Sequence, residues 1–211
     1  MSCPVYLVDD DMAILDSVSW LLEGEGIDVQ SFYCAERFLA EVVLSQPGVL
    51  LLDINMPGMD GLELQNKLVV QESSLVIVFL TGHASVEITK TAFKRGANDL
   101  LQKPVNGEEL CKAITQAQDL AISLCSLKQA SDDLEARVAS LTARERELIP
   151  LIIKGKANKV IADELCIALR TVEIHRHNLF KKMGVSSGIQ LAFNGQQILQ
   201  LINKQLTEGL L

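Results

Sequence analysis

Four features of this 211-residue chain could do chemistry together: the acidic run Asp9, Asp10 and Asp11, then Asp53, Thr81 and Lys103. Carboxylates that meet at one point repel unless a hard cation neutralises them. Mg²⁺ or Mn²⁺ suits such a site, because it takes oxygen ligands and keeps positions open for a phosphate. Asp9, Asp10 and Asp53 therefore read as a divalent-metal pocket. Lys103 would pair with a transferred phosphoryl group, and Thr81 would donate a hydroxyl hydrogen bond to one of its oxygens. A carboxylate nucleophile, a metal, a hydroxyl and an ammonium suffice for phosphoryl transfer to an aspartate. Singly, each residue has a plainer role: Asp11 can cap the helical pattern MAILDSVSWLLEG, and an Asp after a strand is usually a turn residue.

What joins them is the pattern of elements. Short apolar runs alternate with amphipathic stretches from Pro4 to about Gln118: VYLV (5–8), DVQSF (28–32), VLLL (49–52), LVIVFL (75–80) and DLLQ (99–102). Three of the five are continuously apolar, as strands buried on both faces should be. The alternation predicts an α/β domain, a doubly wound, five-stranded parallel sheet with helices on both sides. Binding chemistry in such sheets gathers at the carboxyl ends of the strands. The acidic run follows the first strand, Asp53 the third and Lys103 the fifth, while Thr81 ends the fourth, so all fall on one edge.

Asn106 can cap a helix opening with GEELCKAI, after which no Gly or Pro interrupts the pattern until Pro150. Its apolar positions alternate spacings of three and four, and the outer ones, Leu120, Leu124, Leu127, Leu134 and Val138, form a heptad seam suited to self-pairing. Beyond Leu141 the pattern is wholly helical. TARERELIPLII opens with a capping box from Thr142 to Glu145, and KANKVIADEL, LRTVEIHRHNLFKKM and SSGIQLAFNGQQIL follow, four short helices that include a helix-turn-helix candidate.

Composition narrows the classes. The chain is 48% apolar and 22% charged, which excludes a disordered or collagenous protein. No uncharged apolar run reaches the roughly 20 residues of a membrane span. The start, MSCPVYLVDDD, shows no secretory signal, so a cytoplasmic location is expected. Five scattered cysteines without metal-ligand spacing suit reduced thiols. The net charge of −8 hides a division: Lys and Arg number 9 against 21 Asp and Glu in residues 1–139, and 10 against 6 in residues 140–211. An acidic front and a basic back imply two surfaces with different partners.

VDDD (8–11), LLDINMPGMDG (51–61), TGH (81–83) and KP (103–104), in this order and spacing, resemble the receiver domain of two-component response regulators. LTARERELIPLIIKGKANKVIADELCIALRTVEIHRHNLFKKMGV resembles the LuxR-type helix-turn-helix output domain of regulators of the NarL/FixJ kind. The resemblance implies a flavodoxin-like receiver (1–120), a helical linker (121–140) and an all-α DNA-binding domain (141–211). It implies that Asp53 is the phospho-acceptor, served by a sensor histidine kinase. Asp9, Asp10, Asp53 and the backbone carbonyl of Asn55 would hold the Mg²⁺, and Thr81 and Lys103 would contact the phosphoryl oxygens.

By the same resemblance 158–165 is the scaffold helix and 169–183 the recognition helix in the major groove. Thr171, Glu173, Ile174, Arg176, His177 and Asn178 would face or border DNA, with Lys156, Lys159, Lys181 and Lys182 near phosphates. His177 and Asn178 are the expected base readers, since Asn can bond adenine twice. The chain would dimerise on phosphorylation, bind promoter DNA, and act with RNA polymerase as an activator, with no enzymatic activity beyond its own phosphorylation and dephosphorylation. An Asp-dependent phosphatase is the rival reading; Asn55 stands where its second acid belongs, and it would not need a basic helical tail. Three departures from the family are visible. Leu100 occupies the usual aromatic switch position, Glu173 stands where many relatives carry Lys, and Ala168 replaces the usual serine cap.

Overall fold

The computed structural model describes residues 3–82 and 85–208; His83, which closes the TGH segment, lies outside the described residues. They form two compact units that divide between Leu127 and Lys128.

The first unit is built on five parallel strands, β1 (Val5–Val8), β2 (Val29–Phe32), β3 (Gly48–Asp53), β4 (Leu75–Thr81) and β5 (Asp99–Gln102), in the order β2-β1-β3-β4-β5. Between them run α1 (Met12–Gly24), α2 (Ala35–Glu41), α3 (Gly61–Val70) and α4 (Val86–Lys94), and α5 (Gly107–Ala139) follows β5. This is the flavodoxin-like arrangement, with all five apolar runs in place as strands. β1 and β3 are buried at every position because helices cover both their faces. On one face Val5, Leu7, Val49, Leu51, Val78 and Leu80 pack against Leu15, Val18 and Leu22 of α1 and against Leu110, Ala113, Ile114 and Ala117 of α5. On the other, Tyr6, Val8, Leu50, Leu52 and Phe79 meet Phe38 of α2, Leu64 and Leu68 of α3 and Ala92 of α4.

The second unit holds α6 (Ala143–Ile153), α7 (Asn158–Leu165), α8 (Leu169–Met183), α9 (Gly188–Phe193) and α10 (Gly195–Glu208) around a core that includes Leu148, Ile149, Ile161, Val172, Leu179 and Leu191. Thr142 and Glu145 form the capping box of α6 as the sequence indicated. The last of the four helical stretches is in fact two helices, α9 and α10, because the chain turns at Asn194, and Gly195 begins the second.

The heptad seam also divides. Leu120, Leu124 and Leu127 are exposed, but Val138 is fully buried in the second core and Leu134 packs against it. These two therefore belong to the fold of the second unit and not to an open seam. From Ser126 to Asp133 every residue of α5 is exposed.

Neither helix of the helix-turn-helix has a capping side chain at its start: Ala157 precedes α7 and Ala168 precedes α8. Ala168 already has the extended backbone of a cap (φ −67°, ψ 145°). A hydroxyl there would satisfy an amide of the first turn, so Ala168→Ser is expected to stabilise the unit by about 1 kcal/mol. A higher urea midpoint at unchanged slope is the result to look for, and an unmoved midpoint would count against it.

Candidate functional site

Strand register builds the acidic site. β1 and β3 are neighbours with Val8 opposite Leu52, so the next residues, Asp9 and Asp53, emerge side by side at the carboxyl edge. Asp53 lies opposite Leu80 of β4, and Thr81 opposite Gln102 of β5, which brings Thr81 and the following Lys103 to the same edge. The Lys103 amide donates to the Thr81 carbonyl at 2.8 Å and so fixes where the lysine leaves the sheet.

Asp9, Asp53 and Thr81 are buried, while Asp10 is exposed. One carboxylate oxygen from each of Asp9, Asp10 and Asp53 lies within 4.8 Å of the others. The Lys103 ammonium reaches into the pocket, donating to Asp9 Oδ2 at 2.5 Å and to Asp53 Oδ1 at 2.8 Å. Two backbone amides aim the carboxylates: Asp11 N–H donates to Asp9 Oδ1 at 3.0 Å and Asn55 N–H to Asp53 Oδ2 at 2.8 Å. Asp11 also caps α1 by accepting from the Ala13 amide.

The charges respond to burial and to one another. Burial pulls the Lys103 ammonium down, but its bonds to Asp53 and Asp9, with their charges, outweigh this and hold its pKa above the ordinary 10.5. The lysine is therefore a fixed cation at neutral pH. Burial pushes the Asp9 carboxyl up, and the Lys103 and Asp11 bonds offset part of that rise.

All the donors are hard oxygens, the set that a divalent cation of the magnesium class prefers, and Asp10 leaves the pocket open to water on one side. Leu100 is half-buried, lies opposite Phe79 of β4 and packs against the core on that face of the sheet, with no polar atom to offer.

One requirement was inside the LLDINMPGMDG run but was not singled out from it. Gly61 begins α3 where that helix touches the β3 edge: a Cβ there would lie 2.2 Å from the Asp53 carbonyl oxygen. Only glycine lets α3 start so close to the acidic residue, with Gly61 N–H donating to the Ile54 carbonyl at 2.9 Å.

The second unit offers a different surface. Along α8, Arg170, Glu173, Ile174, His177, Asn178 and Lys181 are exposed at helical spacing, opposite the buried Val172, Leu179 and Met183. Five of the residues expected at DNA thus share one open face, and Thr171 flanks it half-buried. Several of the expected residues, Glu173 of the open face among them, are engaged within the chain. The Arg176 guanidinium donates to Asn158 Oδ1 at 2.9 Å and lies over the Phe180 ring, tying α8 to α7. Lys182 is paired with Glu145, Lys156 with Glu164, and Glu173 with Arg170. Lys159 is exposed at the start of α7.

Comparison with known proteins agrees on both halves. Residues 5–115 match the response regulator receiver domain, and residues 139–193 match the bacterial regulatory proteins of the luxR family. The chain is 38% identical over 183 residues to the transcriptional regulatory protein FixJ of Bradyrhizobium diazoefficiens, covering 87% of this chain and 89% of that one. It is 40% identical over 187 residues to the tetrathionate response regulatory protein TtrR of Salmonella typhimurium, covering 89% of each. The solved structure of the response regulator StyR superposes with a TM-score of 0.85 at 38% identity, over 97% of this chain and 100% of that one. A receiver and a LuxR-type DNA-binding domain follow one another in this chain, and it belongs to the response regulators of the NarL/FixJ kind.

Proposed function

We propose that Asp53 takes a phosphoryl group from a sensor histidine kinase and that this acylphosphate controls dimerisation and promoter binding by the second unit. The convergence of Asp9, Asp10, Asp53, Thr81 and Lys103 on one sheet edge carries the reading. In the transfer an Asp53 oxygen bonds to phosphorus as the bond from phosphorus to the kinase histidine breaks, and the electron pair leaves with that imidazole. Asp9, Asp10, Asp53 and the Asn55 carbonyl would hold Mg²⁺, which when bound supplies positive charge to the phosphoryl oxygens. Lys103 offers its ammonium to one of those oxygens and Thr81 its hydroxyl to another. The Asn55 amide keeps the Asp53 carboxylate aimed.

Leu100 transmits the change with less volume than an aromatic residue. The exposed α8 face then meets the major groove, where His177 and Asn178 read bases and Lys181 and Lys159 approach phosphates. Two chains on adjacent half-sites convert two weak contacts into one tight one. We read the chain as a cytoplasmic activator that works with RNA polymerase; its chemistry is confined to its own phosphorylation and dephosphorylation. No helix among the described residues is long and apolar enough to cross a membrane.

Incubation with a small acyl phosphate and Mg²⁺ tests the reading: one phosphoryl group per chain is expected, lost on chelation, together with a shift toward dimer in light scattering. Labelling that ignores the metal, or that leaves both mass and DNA affinity unchanged, would remove it.

A further inference from the structure

We propose that Arg137 is a positioning residue for DNA recognition, acting through the last turn of α8; this rests on the reading of α8 as the helix that meets the bases. Arg137 lies on α5, ahead of the helix-turn-helix. Its Nη1 donates to the Met183 carbonyl at 3.0 Å, and its Nη2 meets Asp133 Oδ2 at 3.2 Å. Met183 ends α8, where the last carbonyls have no helical partner and carry partial negative charge. A guanidinium there satisfies an orphan acceptor and complements that charge. The chain leaves α8 through Gly184 at φ +67°, and a Cβ on Gly184 would lie 2.5 Å from Arg137 Nη1. Glycine suits 184 for its left-handed backbone, and its missing Cβ leaves the space that the guanidinium fills.

The same end of α8 is gripped one residue earlier. Lys182 donates to the Ser140 carbonyl at 3.0 Å and to Glu145 Oε2 at 2.7 Å. Residues 133–145 thus hold the C-terminal turn of α8 from several sides, while Val138 anchors their backbone in the core. Base readout requires the exposed α8 face at one tilt, whereas nonspecific binding rests on phosphate contacts that carry no sequence information. Loosening the last turn should cost specific binding more than nonspecific binding.

The test uses the full chain and two duplexes, one selected by the wild-type chain from a random-sequence pool and one scrambled. Arg137→Gln is expected to weaken binding to the selected duplex roughly tenfold, the effect of one lost charge-assisted hydrogen bond. Binding to the scrambled duplex and the salt dependence should stay at wild-type values, and the melting temperature should fall by no more than a few degrees, leaving the unit folded at the assay temperature. Arg137→Lys, which keeps one donor for the Met183 carbonyl, should recover most of the loss. Asp133→Asn, at an exposed site where folding is not at stake, should shift affinity the same way by less.

Wild-type affinity in Arg137→Gln overturns the proposal. So does an equal loss on both duplexes with a salt slope lowered by about one, which would make Arg137 a phosphate contact. Failure of Arg137→Lys to recover also overturns it. His177→Ala tests the underlying reading separately: no loss of specific affinity there removes α8 as the reader, whereas a loss there beside a silent Arg137→Gln rejects the positioning role alone.

Discussion

Replacing Asp53 by Asn is expected to abolish phosphorylation, and Lys103→Met to slow it roughly 10²–10³-fold, the cost typical of losing one preorganised charge at a developing oxyanion. The two losses differ in kind. The asparagine side chain would fill the same space and keep an oxygen for the Asn55 amide, but an amide oxygen cannot form a stable bond to phosphorus. Lys103 has no bond to make; its ammonium stands 2.5 Å from Asp9 and 2.8 Å from Asp53, and its place among the acids is set before any phosphate arrives. Methionine preserves the stem and removes the charge. Rates of labelling by an acyl phosphate in Mg²⁺ separate the two variants: no label for the first, full but slow label for the second. Label in the asparagine variant would move the acceptor elsewhere, and a wild-type rate in the methionine variant would deny the lysine its role.

The buried ion pair of the second unit should dominate that unit's response to acid. Glu145 is almost wholly buried, with its Oε2 2.7 Å from Lys182 Nζ, and it accepts from the Thr142 amide at 2.8 Å. Burial alone would raise its pKa, but the Lys182 bond and the Thr142 amide outweigh burial and hold it below the ordinary 4.5. A carboxylate with a lowered folded pKa contributes stability that is fully present above its unfolded value and is lost as pH falls through the folded one. The window therefore opens near pH 4.5 and extends downward.

Glu145→Gln keeps the size and an acceptor for Thr142 but leaves Lys182 without its counter-charge. Breaking a fully buried pair costs about 3–5 kcal/mol; the Lys182 side chain is 33% exposed, and water screening brings the expected loss at neutral pH to about 1–3 kcal/mol. Urea unfolding followed by circular dichroism should show the two proteins converging progressively as pH falls below 4.5. A gap that stays constant with pH would show that packing, not charge, accounts for the loss.

Sequence alone revealed the first unit well, for a physical reason. A strand covered on both faces must be apolar throughout, so VLLL and LVIVFL announce themselves, and parallel connections place every strand's carboxyl end on one edge. Asp9, Asp53, Thr81 and Lys103 could therefore be assigned to one site without knowing a single distance. The second unit was less open to this logic. Spacing of three and four along α5 says which residues share a face but not what covers that face, so Leu134 and Val138 looked like a seam when a core claims them. Charge on a helix says nothing of partners far away in sequence: Lys182 meets Glu145 across 37 positions and Arg176 meets Asn158 across 18. The break between α9 and α10 did have a signal in the Asn-Gly pair, a common turn dipeptide, set inside an otherwise helical pattern.

The middle of α5 stands apart in its thermodynamics. Between Ser126 and Asp133 every residue of the helix is exposed, so tertiary packing does little to keep it wound, and a helical stretch so short gains little from propensity and local bonds. Its amides should exchange with solvent deuterium far sooner than those near Ala117 or Val138, where tertiary packing protects the turns. Though α5 is assigned as one helix from Gly107 to Ala139, its two ends are expected to outlast its middle, and limited proteolysis should cut between Ser126 and Asp133 more readily than at either packed end.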